Sequence, residues 1–246
     1  MFSYEEYGSS KNFPLIFFHG FLGNKYDWEK VIESLSSDFF CITIDLPGHG
    51  KSKIEDNESF ETFAKKLIKF LKTNNFENTA LIGYSMGGRI AHYIHEHYLK
   101  DQICICIGSH LGLNKKEEIE CRKIWNKEIL CNLNNKSIEE FLIFWYSQKI
   151  FDSFRQFKIY SDILNYRKNN NKEFIKKAFM AFSVVNQNML HPDSKTLFLA
   201  GDKDYKYLEY YQKIRCPHQV IASSSHPVHL ENPKELIKKI KEILHG

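Results

Sequence analysis

The sequence predicts an α/β protein: a mostly parallel central sheet with helices on both faces, and a helical cap inserted over one end. Three observations lead there. Short apolar runs recur along the chain, each of the length and composition of a strand buried on both faces. Amphipathic stretches with apolar residues at helical spacing lie between them. From 111 to 190 no strand-like run appears, only helical and polar patterns rich in Phe, Tyr, Trp, Lys and Asn. Alternation of strand and helix implies crossover connections and hence a parallel sheet.

In chain order the expected strands are PLIFF (14–18), FFCITI (39–44), TALIGY (79–84), ICICIG (103–108), TLFLAG (196–201) and HQVIA (218–222). FETFAKKLIKFLKT (60–73) and MGGRIAHYIHEHYL, directly after TALIGY, read as helices. Within the strandless stretch, NLNN (132–135) and KNNNK (168–172) fit turns between cap helices. No internal repeat or linker divides the chain. Residues 1–246 are therefore read as a single domain carrying the cap at 111–190.

Composition narrows the function classes. The chain has 246 residues, 43% hydrophobic and 26% charged, ordinary values for a globular protein with a real core. Its net charge of +4 comes from lysine spread along the whole chain. No block of like charge reads as a nucleic-acid arm or a membrane-binding stripe. No apolar run approaches the roughly 20 residues that cross a bilayer. The amino-terminal MFSYEEYGSSKNF carries two glutamates where a signal peptide needs a basic start, so a cytoplasmic location is expected. Cys41, Cys104, Cys106, Cys121, Cys131 and Cys216 lack paired spacing and are read as reduced small hydrophobes, with no structural metal. Cys104 and Cys106 alternate with isoleucine and should share one face of a strand.

GYSMGGR (83–89) carries the chemistry. Ser85 falls between a strand and a helix in a G-x-S-x-G frame, where a sharp turn strains the serine backbone and exposes its hydroxyl at the carboxyl end of the sheet. HGFLG (19–23) follows the first run directly, so the Phe21 and Met86 N–H groups are the expected pair for a developing oxyanion. An acid and a base should follow in the order Ser, Asp, His. GDKD offers Asp202 and Asp204. Asp204, at the end of its loop, is the expected acid and Asp202 a turn former. SSSHPVHLENP (223–233) offers His226 as the base, with His229 near the mouth of the site or bonded to local backbone. His92, His95 and His97 do not present three ligands on one helical face and read as surface residues.

Ser85, Asp204 and His226 together resemble the α/β-hydrolase superfamily. FFHGFLG, IDLPGHGKS (44–52), GYSMGGR, SHLGLN (109–114), FWYSQKIF (144–151), GDKDYKY (201–207) and HPVHLENP (226–233) are similar, in order, to segments of one family. It is the menaquinone-pathway enzyme 2-succinyl-6-hydroxy-2,4-cyclohexadiene-1-carboxylate synthase. The resemblance runs from about residue 14 to the end, and GYS-x-GGR and W-Y-x-Q-x-x-F are its discriminating pieces. It implies a lyase that removes pyruvate from a small polyanionic cyclohexene without metal or organic cofactor, Ser85 acting as the immediate base and His226 accepting its proton. It also implies substrate contacts for Tyr84, Arg89, Arg122, Trp145, Arg167 and Lys206.

Arg89 stands at i+4 from Ser85 and so shares its helix face. A guanidinium binds a carboxylate through two parallel hydrogen bonds, worth on the order of 1.5–3 kcal/mol. The chain departs from the family at Ser225, usually glycine, and at Lys149, usually proline; the second departure should let the cap helix there run on. Two rivals share the fold: a carboxylester or thioester hydrolase for a small acidic acyl group, and a non-catalytic ligand receptor. Filled triad positions weigh against the second.

Overall fold

The structure, a computed structural model, describes residues 2–245, so Met1 of the amino-terminal stretch and Gly246 lie outside the described residues. Its sheet contains β1 (Tyr4–Tyr7), β2 (Pro14–Phe18), β3 (Phe40–Ile44), β4 (Ala80–Tyr84), β5 (Cys104–Ile107), β6 (Thr196–Gly201) and β7 (His218–Ile221). They lie in the order β1-β3-β2-β4-β5-β6-β7. β1 is antiparallel to β3, and every other pairing is parallel.

Strand periodicity divides the core into two faces. Ile16, Phe18, Ile42, Leu81, Cys104 and Cys106 point into one layer, and Leu15, Phe17, Cys41, Ile82, Ile105 and Ile107 into the other. The helices α1 (Glu29–Leu35), α2 (Phe60–Asn74) and α3 (Met86–Tyr98) follow β2, β3 and β4 in the crossovers. α2 and α3 cover the first face and α1 the second. α2 shows why such a segment folds: Ser59 and Thr62 form a reciprocal capping box at its start. Phe60, Phe63, Ala64, Leu67 and Leu71 then form its buried stripe.

Between β5 and β6 lie α4 (Lys116–Asn135), α5 (Ile138–Tyr146), α6 (Ile159–Arg167) and α7 (Lys172–Ala181). They share a small core of their own, including Ile129, Leu133, Phe141, Tyr146, Phe154 and Ile175, which packs on Leu22 and Leu230 of the sheet body. The chain closes with α8 (Tyr205–Lys213), α9 (Val228–Glu231) and α10 (Pro233–His245).

Several expectations are corrected. β1 escapes the apolar pattern because YEEY is a half-buried edge strand. β7 is also an edge rather than a strand buried on both faces, for Gln219 and Val220 are exposed. NLNN forms the last turn of α4, where the Asn132 amide donates to the Glu128 carbonyl within the helix; KNNNK does turn the chain, Asn171 capping α7. His92 and His95 are buried, not superficial: His92 packs against Phe198 and His95 bonds Asp193, and only His97 is exposed. Cys121 and Cys131 lie exposed on α4, whereas the other four cysteines are buried.

Candidate active site

The carboxyl ends of β2, β4 and β6 meet at one cleft beneath the helical segment. Ser85 joins β4 to α3 with φ 53° and ψ −109°, a conformation that side chains rarely adopt and that neighbours must hold in place. The glycines make that possible. A Cβ on Gly87 would lie 2.3 Å from the Phe18 carbonyl oxygen, and one on Gly20 would lie 2.6 Å from the Tyr84 ring. Without side chains there, the HGFLG loop closes onto the serine turn.

Two buried histidines fix that loop. His19 Nδ1–H donates to the Gly20 carbonyl at 2.7 Å, and its Nε2 accepts the Leu46 N–H. His49 Nε2 accepts the Leu22 N–H at 3.1 Å. Burial pulls both pKa values down to about 3, so each ring stays neutral and keeps an acceptor nitrogen.

Ser85 Oγ lies 3.3 Å from His226 Nε2, and His226 Nδ1 lies 2.8 Å from Asp204 Oδ2. The buried carboxylate accepts the Nδ1 proton, which leaves Nε2 free to accept from the serine hydroxyl. Asp204 is also the N-cap of α8, its Oδ1 accepting the Tyr207 N–H. Asp202 serves the turn instead, accepting the Ser223 and Ser224 N–H groups. His229 is neither at the mouth nor bonded to backbone. It is buried between the Trp28 ring at 4.6 Å and the Tyr84 ring at 4.5 Å, with no partner for either nitrogen among the described residues.

All the other expected site residues converge here. Phe21, Tyr84, Arg122, Trp145, Arg167 and Lys206 line the cleft with Ser85 and His226. Met86 and Arg89 line a recess that continues from Ser85, bounded again by Phe21, Arg122 and Trp145. Four cations therefore border the cleft and its recess, and they are held differently. Arg167 is buried and bonded to the buried Asp27 at 2.6 Å. Burial raises the pKa of that carboxyl group, against the pull of Arg167.

Arg89, Arg122 and Lys206 make no salt bridge among the described residues. Arg89 reaches only Gln187, at 3.3 Å, and the Phe60 ring. Arg122 reaches Asn126 and lies over the Trp125 ring at 4.1 Å. Burial first, then the charge of Arg122, lowers the Arg89 pKa to about 9, which leaves it protonated at neutral pH. Burial lowers the Arg122 pKa, and burial plus Arg122 lowers that of Lys206. Uncompensated positive charge in a partly dry cleft is costly, and an anion relieves that cost.

A family model described as an alpha/beta hydrolase fold matches residues 14–127. The 2-succinyl-6-hydroxy-2,4-cyclohexadiene-1-carboxylate synthases of Yersinia pseudotuberculosis serotype O:1b (strain IP 31758) and Yersinia pestis (strain Pestoides F) are each 30% identical to the chain. In both cases the match spans 227 residues, 89% of this chain and 82% of the relative. The chain belongs to this synthase family. It is an enzyme family of the α/β-hydrolase superfamily. MenH from S. aureus superposes with a TM-score of 0.87 at 25% identity, covering 98% of this chain and 97% of its own. A thermophilic esterase from Thermogutta terrifontis (malate bound), with a TM-score of 0.78 at 21% identity over 99% of this chain and 93% of its own, shares the fold.

Of the two departures from the synthase pattern, one adds a contact and the other does not have the expected effect. Ser225 donates through both its N–H and its hydroxyl to the Glu231 carboxylate, tying the loop before His226 to α9. At Lys149 the helix does not run on. α5 ends at Tyr146, because Arg155 takes the Tyr146 carbonyl at 2.7 Å and Gln148 turns to an extended conformation. Trp125 and Tyr207, given no role from the sequence, also line the cleft, as does Gln148 of the W-Y-x-Q-x-x-F piece. Of these, Tyr207 had a signal: it stands three residues after Asp204, in the first turn of the helix that Asp204 caps.

Proposed function

We propose that the chain is a lyase of menaquinone biosynthesis. It eliminates pyruvate from 2-succinyl-5-enolpyruvyl-6-hydroxy-3-cyclohexene-1-carboxylate to give 2-succinyl-6-hydroxy-2,4-cyclohexadiene-1-carboxylate. One observation carries this reading: three cations without ion-pair partners among the described residues border the same cleft as the Ser85–His226–Asp204 chain. The substrate brings three carboxylates. A hydrolase for simple esters has no use for so many unpaired charges beside its serine.

The ring locants dictate the chemistry. The double bond at C3 becomes a diene at C2 and C4, so a proton leaves C2 and the C5–O bond breaks. C2 is acidic because it neighbours the succinyl ketone. Ser85 Oγ takes the C2 proton while its own proton passes to His226 Nε2, with Asp204 stabilising the imidazolium. Charge then gathers on the ketone oxygen, for which the Phe21 and Met86 N–H groups are the donors. As that enolate collapses, C2=C3 and C4=C5 form, enolpyruvate departs, and the His226 proton balances its conversion to pyruvate. The arginines and Lys206 hold the carboxylates so that C2 lies over Ser85.

The test separates this reading from ester hydrolysis on the same triad. Pyruvate release is followed with lactate dehydrogenase, and cleavage of a neutral p-nitrophenyl ester is followed in parallel. Arg89→Ala should nearly abolish the first and spare whatever ester cleavage the parent shows. Parental pyruvate release by Arg89→Ala would instead sink the polyanion reading.

A further inference from the structure

We propose that Tyr207 serves the elimination in two ways: its ring holds the His226 imidazole in line with Ser85, and its hydroxyl donates to a substrate carboxylate beside Arg89 and Arg122. This rests on the synthase reading above and assigns a residue that the reading does not require.

The ring contact is the closest to parallel in the site. Tyr207 and His226 are stacked with centroids 5.1 Å apart and planes 9° apart. Tyr84 and Phe151 also border the imidazole, but at 54° and 64°. Through its backbone, the same residue donates to Asp204 Oδ1. A single tyrosine thus touches both the base and the acid that orients it, so its ring limits rotation of the imidazole about the Asp204 bond.

The hydroxyl is set apart from its neighbours on α8. Tyr211 is bonded through its hydroxyl to the Ser109 N–H and carbonyl, and Tyr210 accepts the Leu111 N–H. Those two phenols hold the chain just past β5. The Tyr207 hydroxyl has no hydrogen-bond partner among the described residues, although the side chain lines the cleft with Ser85, Arg122 and Lys206. Arg89 and Arg122 both act on it electrostatically, yet burial outweighs them and raises its pKa to about 12. The phenol therefore keeps its proton and can donate at neutral pH. A neutral donor near these cations adds one more directional hydrogen bond to those that the guanidinium groups offer a carboxylate.

Steady-state kinetics of pyruvate release with the parent, Tyr207→Phe and Tyr207→Leu separate the two roles. Tyr207→Phe keeps the stack and loses the hydroxyl. It should raise KM about tenfold, the size of one hydrogen bond to a charged group, and hold kcat within about twofold. Tyr207→Leu should also lose about tenfold or more in kcat through misplacement of the base. Recovery of kcat but not KM on going from leucine to phenylalanine is a pattern that general loosening of the fold does not produce. If Tyr207→Leu fails to fold, the phenylalanine variant alone decides the hydroxyl. An active parent with Tyr207→Phe at the parental KM overturns the proposal by itself. A parent that releases no pyruvate overturns the synthase reading and this proposal together.

Discussion

The two walls of the cleft are built on opposite terms. On the sheet side, Ser85, His226 and Asp204 are bonded in series, and His19 and His49 pin the adjoining loop through neutral rings. On the helical side, among the described residues, Arg122 rests on Trp125 and Asn126 without an ion pair, whereas Arg167 has an ion-pair partner in Asp27. On the first wall the triad is already bonded, although among the described residues Arg89 on α3 and Lys206 on α8 leave unpaired charge there too. The second leaves charge for a ligand to complete. In the proposed function, reactivity falls to the bonded triad of the sheet side, and substrate choice to the cations that border the cleft, Arg122 on the helical side with Arg89 and Lys206 facing it from α3 and α8.

The largest predicted effects fall on the sheet side. Ser85→Ala should lower kcat by about 10⁴-fold or more, and Asp204→Asn by about 10³–10⁴-fold, both in pyruvate release with KM little changed. A modest kcat loss in either variant would break the division of labour. Next comes Arg167's partner. Asp27→Asn leaves a buried guanidinium without its carboxylate and should cost about 3–5 kcal/mol of stability in urea denaturation. Arg122→Ala sharpens the contrast between the two arginines. It should raise KM about 10–100-fold through loss of a bidentate carboxylate contact while leaving the urea midpoint nearly unmoved. Equal destabilisation by the two substitutions would mean that Arg122 is as structural as Arg167.

Acid stability tests the sheet side separately. His19 and His49 titrate near 3 when folded, against about 6.5 in an unfolded chain. Between those values the unfolded state binds more protons, so stability must decline as pH falls from about 6.5 toward 3. Urea midpoints measured across that range should fall steadily; a flat profile would show that these rings do not hold the loop.

The sequence made the sheet side readable because its signals are local. Ser85 sits in a seven-residue motif between a strand and a helix, and β2 to β6 are short runs of apolar residues. Asp204 and His226 each lie in the loop that follows a strand. β1 was hidden because an edge strand needs only half its residues buried, and YEEY satisfies that with tyrosines. On the helical side the cations were found through family resemblance. No spacing rule links Arg167 to Asp27, which lies 140 residues away, and none distinguishes a paired arginine from a spare one. His92 and His95 misled because periodicity places a residue on a helix face but does not say that the face lies against Phe198.

Central to the proposed function is a serine–histidine–aspartate chain acting on carbon within a cationic cleft. Purified protein incubated with 2-succinyl-5-enolpyruvyl-6-hydroxy-3-cyclohexene-1-carboxylate tests it most directly, with pyruvate and the conjugated diene measured together. One pyruvate should form for each diene, and neither should form with Ser85→Ala. Intact substrate after prolonged incubation with an enzyme that readily cleaves neutral esters would contradict it.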